Sequence, residues 1–248
     1  MTEGFPRKRG QRADVFLVQQ GLASSRTEAQ VAIAAGHVRA DGVTVVKPAQ
    51  LLNETMHVDY APAHPYVSRG ALKLAAALDR FGISPAELVC LDIGASTGGF
   101  TEVLLERGAA KVYAVDVGHG QLHARIANDP RLISLEGVNA RELILPEAPA
   151  LIVVDVSFIS LKLALAPALS LAKPGAWLVA LVKPQFEVGR ERVGKGGIVK
   201  DESDRQAALD GIAAWLSRDQ NWSVAGTMES PVAGGDGNRE FLVAARKP

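Results

Sequence analysis

From residue 88 onward, short apolar runs alternate with segments of helical periodicity. The runs span 88–93, 111–117, 132–135, 151–155, 176–183, 223–228 and 240–245, and the helical patterns lie at 100–107, 161–171 and 202–216. Runs without polar alternation are strands buried on both faces, and strand–helix alternation implies a mainly parallel sheet covered on both sides. The expected fold is therefore α/β and Rossmann-like, with a mostly parallel seven-stranded sheet. The last two runs, joined by Gly234-Gly235-Asp236-Gly237-Asn238, read as an antiparallel hairpin at the sheet edge.

The N-terminal part has a different grammar. Residues 1–10 are polar and basic and read as a flexible tail. A helix is expected over 12–20, with Ala13, Phe16, Leu17 and Gln20 around one face and Gly21 as its stop. Ser25-Arg26-Thr27-Glu28 is a capping box that opens a second helix through Val31 and Ile33, closed by Gly36. Val38 to Val45 reads as a hairpin around an Asp41-Gly42 turn. These elements form a small α+β domain over 11–60. The stretch 61–67 contains Pro62 and Pro65 and reads as a linker. A larger domain follows over 68–248, opening with a helix at 68–82 whose apolar positions are Leu72, Leu74, Ala75 and Leu78.

Composition narrows the class. The chain has 248 residues, 48% hydrophobic and 22% charged, with a formal net charge of +0. That balance does not advertise nucleic-acid binding, yet the charge is uneven. Arg7, Lys8, Arg9 and Arg12 face only Glu3 near the start, and Arg190, Arg192, Lys195 and Lys200 cluster later. The single cysteine, Cys90, sits in an apolar run and reads as a core residue in a reducing, cytoplasmic setting. No signal-peptide pattern is visible, and the apolar stretch 161–182 is broken by Lys162, Pro167, Lys173 and Pro174, so no membrane span is expected. No metal site is expected; a monomer is.

The strongest local signal is Asp92-Ile93-Gly94-Ala95-Ser96-Thr97-Gly98-Gly99-Phe100, placed between a strand and a helix. Glycines there let the backbone approach a ligand, and a helix N-terminus offers free N–H groups. The pattern is neither the dinucleotide GxGxxG nor a P-loop. The next strand ends in Asp116, where a carboxylate can accept bonds from both hydroxyls of a ribose. Glycine loop and acid together suit S-adenosyl-L-methionine. After the third strand, the Asn139 amide suits an adenine edge, and a plain turn explains the same residues equally well.

Asp155 ends the fourth strand and Lys183 the fifth. In an open α/β sheet, ligands bind beyond the carboxyl ends of the strands, so both point towards the cofactor site. A lysine whose charge is suppressed by its surroundings can take a proton from a hydroxyl, with the acid orienting either group. A structural salt bridge is the plainer alternative. The glycine-rich basic segment 185–200 can close over RNA phosphates or be a solvated loop. Trp177, Trp215 and Trp222 read as core.

The chain resembles the TlyA family, in which an S4-like RNA-binding domain precedes an FtsJ/RrmJ-like ribose 2′-O-methyltransferase domain. The resemblance is carried by Arg12-Ala13-Asp14-Val15-Phe16-Leu17, Ser24-Ser25-Arg26-Thr27-Glu28-Ala29, Ser68-Arg69-Gly70-Ala71-Leu72-Lys73-Leu74, the Asp92–Thr101 loop, Asp155-Val156-Ser157-Phe158, Lys183-Pro184-Gln185-Phe186-Glu187 and Gly237-Asn238-Arg239-Glu240-Phe241. It implies a catalytic tetrad at Lys73, Asp155, Lys183 and Glu240, with Lys183 as general base. From the residues alone, Lys73 is a helix-surface lysine and Glu240 starts an edge strand. The resemblance also implies cofactor contacts at Ser68, Gly94, Ala95, Ser96, Thr97, Gly98, Gly99, Phe100, Asp116, Val117, Asn139, Ala140 and Asp155. It implies RNA contacts at Arg7, Arg9, Arg12, Arg26, Arg39, Arg69, Arg190 and Arg192. The implied substrate is ribosomal RNA, methylated at cytidine riboses of the small subunit and, in some members, the large subunit. Two other readings remain: a non-catalytic RNA-binding or ribosome assembly factor, and, far behind, a membrane-active haemolysin.

Overall fold

The computed structural model describes residues 10–23, 25–234 and 236–248. Arg7 and Arg9 lie outside the described residues. The chain forms two compact units, divided between Pro65 and Tyr66.

In the first unit, β1 (Gln11–Arg12) leads into α1 (Ala13–Gln19), and α2 (Arg26–Ala34) follows. Ser25 Oγ accepts from Glu28 N at 3.2 Å, the first half of the expected capping box. The buried face of α2 is Ala29, Ala32 and Ile33; Val31 is only half-buried. The hairpin of β2 (Val38–Ala40) and β3 (Val43–Thr44) turns through Asp41 and Gly42 at φ 49° and 80°, as a type I′ turn requires. β4 (Leu51–Leu52) pairs with β1, and β5 (Val58–Tyr60) completes a sheet ordered β3-β2-β5. Phe16, Leu17, Ile33, Val38 and Leu52 fill the small core.

The second unit begins with α3 (Gly70–Phe81). It continues through β6 (Val89–Ile93), α4 (Gly99–Glu106), β7 (Lys111–Asp116), α5 (Ala124–Ala127), β8 (Leu132–Glu136) and β9 (Leu151–Val154). It ends with α6 (Leu161–Leu171), β10 (Trp177–Val182), α7 (Pro184–Glu187), α8 (Glu202–Arg218), β11 (Ser223–Glu229) and β12 (Phe241–Arg246). The seven strands are ordered β11-β12-β10-β9-β6-β7-β8. β9, β6, β7, β8 and β10 are parallel, and β12 runs against both β10 and β11.

Residue parity divides the core. Leu91, Ile93, Ile152, Val154 and Leu178 pack towards α6 and α8. Cys90, Val112, Val153, Val179, Leu181 and Leu242 pack towards α3 and α4. Trp215 and Trp222 are core residues, whereas Trp177 is half-buried and carries Arg246 over its ring at 5.5 Å. On α3 the buried positions are Ala71, Lys73, Leu74, Ala77 and Leu78, one step around the helix from the apolar stripe expected from sequence.

Candidate active site

Strand order reverses at β6, whose neighbours β7 and β9 lead to opposite sides, and ligands bind at such a switch point. A cavity of about 370 Å³ opens there, between the carboxyl ends of β6, β7 and β9. Gly94, Ser96, Asp116, Val117, Asn139, Ala140 and Asp155 line it, together with Val138 and Phe158 and with Gln121 and Ile159, which no sequence pattern marks. Ser68, Ala95, Thr97, Gly98, Gly99 and Phe100 do not line it. They build the support behind it.

The loop between β6 and α4 depends on missing side chains. Gly94 has φ 82°, and a Cβ there would sit 2.4 Å from the Asp155 carbonyl oxygen. Backbone cannot yield as a flexible side chain can, so this crossing requires glycine. A Cβ on Gly99 would sit 2.1 Å from Ser68 Oγ and 3.2 Å from Ala71 N, which is how closely α3 and α4 approach. Ser96, at φ 48°, donates its N–H to Asp116 Oδ2 at 2.8 Å, and Gly118 N donates to Oδ1 at 2.8 Å. The acid at the end of β7 is thereby fixed, with a lone pair left on each oxygen. The Asn139 side chain accepts from Arg141 N at 3.0 Å and caps the short 3-10 turn Ala140–Glu142.

Beneath this loop Asp92 is fully buried. Its Oδ2 accepts from Thr101 Oγ1 at 2.6 Å, and no donor among the described residues reaches Oδ1. Burial pushes its carboxyl up to about 7; the Thr101 bond opposes the shift and the charge of Asp155 adds to it. Glu102, also buried, accepts from Val67 N at 2.7 Å and pairs with Arg125, tying the approach to α3 onto α4 and α5.

The four charged residues of the expected tetrad share one face. Asp155 continues the parity of Leu151 and Val153, Lys183 that of Val179 and Leu181, and Glu240 that of Leu242, all on the α3/α4 side. Their strands are adjacent in the order β12-β10-β9. Val182 pairs with Phe241 in the antiparallel register, so Glu240 arrives beside Lys183 at the carboxyl edge. Lys73 projects from the buried side of α3. Its Nζ lies 2.5 Å from Glu240 Oε2, with side-chain exposures of 9% and 3%. Lys183 Nζ lies 2.5 Å from Asp155 Oδ1 and donates to Ser157 Oγ at 2.8 Å. Gly70, one turn before Lys73, brings α3 against Asp155: a Cβ there would be 3.7 Å from Asp155 Oδ2. Lys73 is therefore no surface lysine, and Glu240 stands at the head of a strand paired on both sides, not at an edge.

The segment after Lys183 is fastened. Buried Asn238 donates to Gly197 O at 2.8 Å and accepts from Val199 N at 3.0 Å, and Arg192 pairs with Asp204 at 2.9 Å. Arg190 is exposed on the same segment, and Arg69 occupies the N-cap position of α3. In the first unit Arg12 and Arg26 both bond the buried Asp14, while Arg39 donates to Gly42 O.

Comparison with known proteins agrees with this architecture. The FtsJ-like methyltransferase family matches residues 66–247, and the S4 domain matches residues 11–58. The 16S/23S rRNA (cytidine-2′-O)-methyltransferase TlyA of Mycobacterium tuberculosis is 47% identical over 241 residues, 95% of this chain and 89% of that protein. Hemolysin A of Brachyspira hyodysenteriae is 42% identical over 93% of this chain and 98% of its own. A solved structure from Streptococcus thermophilus, described as a hemolysin, superimposes with a TM-score of 0.76 at 40% identity, over 96% of this chain and 89% of that one. No helix among the described residues is long and apolar enough to cross a membrane. The chain belongs to the FtsJ-like methyltransferase family and, with an S4 domain ahead of that fold, to the TlyA family.

Proposed function

We propose that this chain transfers a methyl group from S-adenosyl-L-methionine to the 2′-hydroxyl of cytidine riboses in 16S and 23S ribosomal RNA, acting on ribosomal subunits in the cytoplasm. The observation that carries this reading is the pairing of Lys183 with Asp155, because Asp155 also lines the cavity at the switch point. One acid thus touches both the candidate base and the space for the methyl donor.

The cavity suits that donor in size and in chemistry. Asp116, held by two backbone N–H groups, would accept from the ribose hydroxyls. Val117 and Val138 would flank the adenine, with Asn139 and Ala140 at its edge. The Gly94–Ser96 turn would face the methionine part, with Ser68, Ala95, Thr97, Gly98, Gly99 and Phe100 shaping the turn from behind. When bound, the cofactor supplies an electrophilic methyl group on a sulfonium.

A ribose hydroxyl is a poor nucleophile until its proton leaves. Lys183 Nζ is the group placed to take that proton, and Asp155 stabilises the ammonium that forms. Ser157 accepts from the same Nζ and narrows its orientation. Lys73 and Glu240 offset one another's charge inside the protein and fix the field in which Lys183 works.

RNA contacts are proposed at Arg12, Arg26 and Arg39 in the S4-like domain (11–60), and at Arg69, Arg190 and Arg192 in the methyltransferase domain (68–248). Arg7 and Arg9 join them from the sequence alone. The test is methyl transfer from labelled S-adenosyl-L-methionine to unmethylated 30S and 50S subunits, with the 2′-O-methyl position mapped on the RNA. Cytidine 2′-O-methylation that disappears in Lys183→Ala is expected. No transfer to either subunit, or full transfer by Lys183→Ala, would sink the reading.

A further inference from the structure

We infer that Glu187 is a positioning residue for Lys183, latching the turn that carries the lysine onto the N-terminus of the helix that follows Asp155. The inference rests on the reading of Lys183 as proton acceptor.

Lys183 sits where β10 gives way to α7, a single turn of four residues with Pro184 in its first position and no side-chain cap. One isolated turn has little stability of its own, since helix nucleation is unfavourable. Something outside α7 must therefore hold the lysine's backbone. Glu187, the last residue of the turn, does this with both carboxylate oxygens. Oε1 accepts from Leu161 N at 2.7 Å, and Oε2 accepts from Ser160 Oγ at 2.7 Å. Leu161 is the first residue of α6 and Ser160 is its N-cap.

The bridged segments are those that bear the proposed base and its acid: Lys183 to Glu187, and Asp155 to Leu161. Two further contacts join the same pair of segments. Lys183 Nζ donates to Ser157 Oγ at 2.8 Å, and the Phe158 and Phe186 rings lie 5.3 Å apart, tilted at 51°. The latch thus closes the far end of a loop pair whose near end is the Lys183–Asp155 contact.

The carboxylate suits this task because its charge is met by a helix terminus. An anion at the first free N–H groups of a helix is stabilised by them and by the helix dipole. Burial raises the Glu187 carboxyl above its usual range, and the Leu161 and Ser160 bonds oppose that shift. With both oxygens occupied by α6, Glu187 acts on Lys183 through the backbone of α7.

The test compares Glu187→Ala and Glu187→Gln in the full chain. Glu187→Ala removes both bonds and should lower kcat about 10- to 100-fold, as a displacement near 1 Å does, with KM for S-adenosyl-L-methionine unchanged. Glu187→Gln can still accept from Leu161 N while its amide donates to the Ser160 hydroxyl, so it should stay within about twofold of the wild type. Amide exchange at Leu161 should accelerate in the alanine variant and not in the glutamine variant. Wild-type kcat in Glu187→Ala overturns the inference. Equal losses in both variants overturn it too, pointing to the charge and not the latch. A wild-type protein that transfers no methyl group overturns the proposed function, and Leu161 exchange still decides whether the latch exists.

Discussion

The two units both bury charge, and they answer it in opposite ways. In the S4-like unit the buried partner is one acid. Asp14 has no exposed surface, and its carboxylate takes up Arg12, Arg26 and Gln30, while the arginine side chains remain 47% and 57% exposed. Acid and cations leave a net positive cluster facing water. In the two lysine–acid pairs of the catalytic unit's candidate site both partners go inside: Lys73 and Glu240 at 9% and 3%, Lys183 and Asp155 at 12% and 23%. The first arrangement keeps cationic charge available to a partner. The second withdraws charge from solvent and holds it where a reaction can use it. Substitutions should therefore damage binding and stability in the first unit, and chemistry above all in the second.

The sharpest break of that contrast would be a catalytic-unit lysine that does not matter to chemistry. Lys183→Ala should reduce methyl transfer on the order of 10³-fold, the scale of a lost general base. Calorimetric affinity for S-adenosyl-L-methionine should stay close to wild type, because Lys183 does not line the cavity. Equal losses in turnover and cofactor affinity would place the lysine in binding instead.

Next in size is the buried pair. Glu240→Gln leaves Lys73 as an uncompensated buried cation and should cost about 3–5 kcal/mol in denaturant unfolding, enough to shift the transition plainly. The double variant Lys73→Met with Glu240→Gln should recover much of that stability and none of the activity. Recovery of both would make the pair purely structural.

These two pairs also show what the amino-acid sequence disclosed. Asp155 and Lys183 were legible because each closes an apolar run, and a charge at the carboxyl end of a parallel strand faces the ligand side. The runs of β9, β10 and β12 were legible because strands buried on both faces carry few polar interruptions, whereas β11 alternates exposed and half-buried residues at the sheet edge, and 161–171 was readable end to end as α6. Lys73 and Glu240 were not legible from the residues. The side of α3 that turns inward depends on its packing against α4 at Gly99, which selects Ala71, Leu74, Ala77 and Leu78 and carries Lys73 with them. Glu240 gains its place through the antiparallel register of β12 on β10, a long-range pairing with no local signature. The fastening of 189–200 was hidden likewise, since Asn238 looks like any hairpin asparagine until Gly197 and Val199 meet it.

A smaller effect separates the units by acid response. Arg12 beside Asp14, helped by Arg26 and Gln30, holds that carboxyl well below the usual range against the effect of burial. A depressed carboxyl contributes stability that is complete above its unfolded value near 4 and is lost as pH falls through the folded value. Asp14→Asn should therefore destabilise the chain by about 2–3 kcal/mol at neutral pH and by progressively less below pH 4, read from urea midpoints. It should also weaken binding to ribosomal RNA, although it removes a negative charge, because Arg12 and Arg26 lose the group that holds them. Tighter RNA binding would mean that the arginines need no such organiser.

The last prediction turns on the sign of a slope. Asp92 is as buried as Asp14, yet among the described residues it is met by Thr101 and by no cation, and burial pushes it up to about 7. A raised carboxyl binds its proton more tightly in the folded chain than in the unfolded one. Stability should therefore fall as pH climbs from about 4 to 7 and level off above that window. Asp14 acts in the opposite sense, adding stability as pH climbs, and it does so below this window. Asp92→Asn, still able to accept from Thr101, should flatten the decline between pH 4 and 7 and leave the acid limb unchanged. Asp14→Asn should do the reverse. If the two variants altered the same part of the pH–stability curve, the contrast between a carboxylate answered by cations and one left to a hydroxyl would fail.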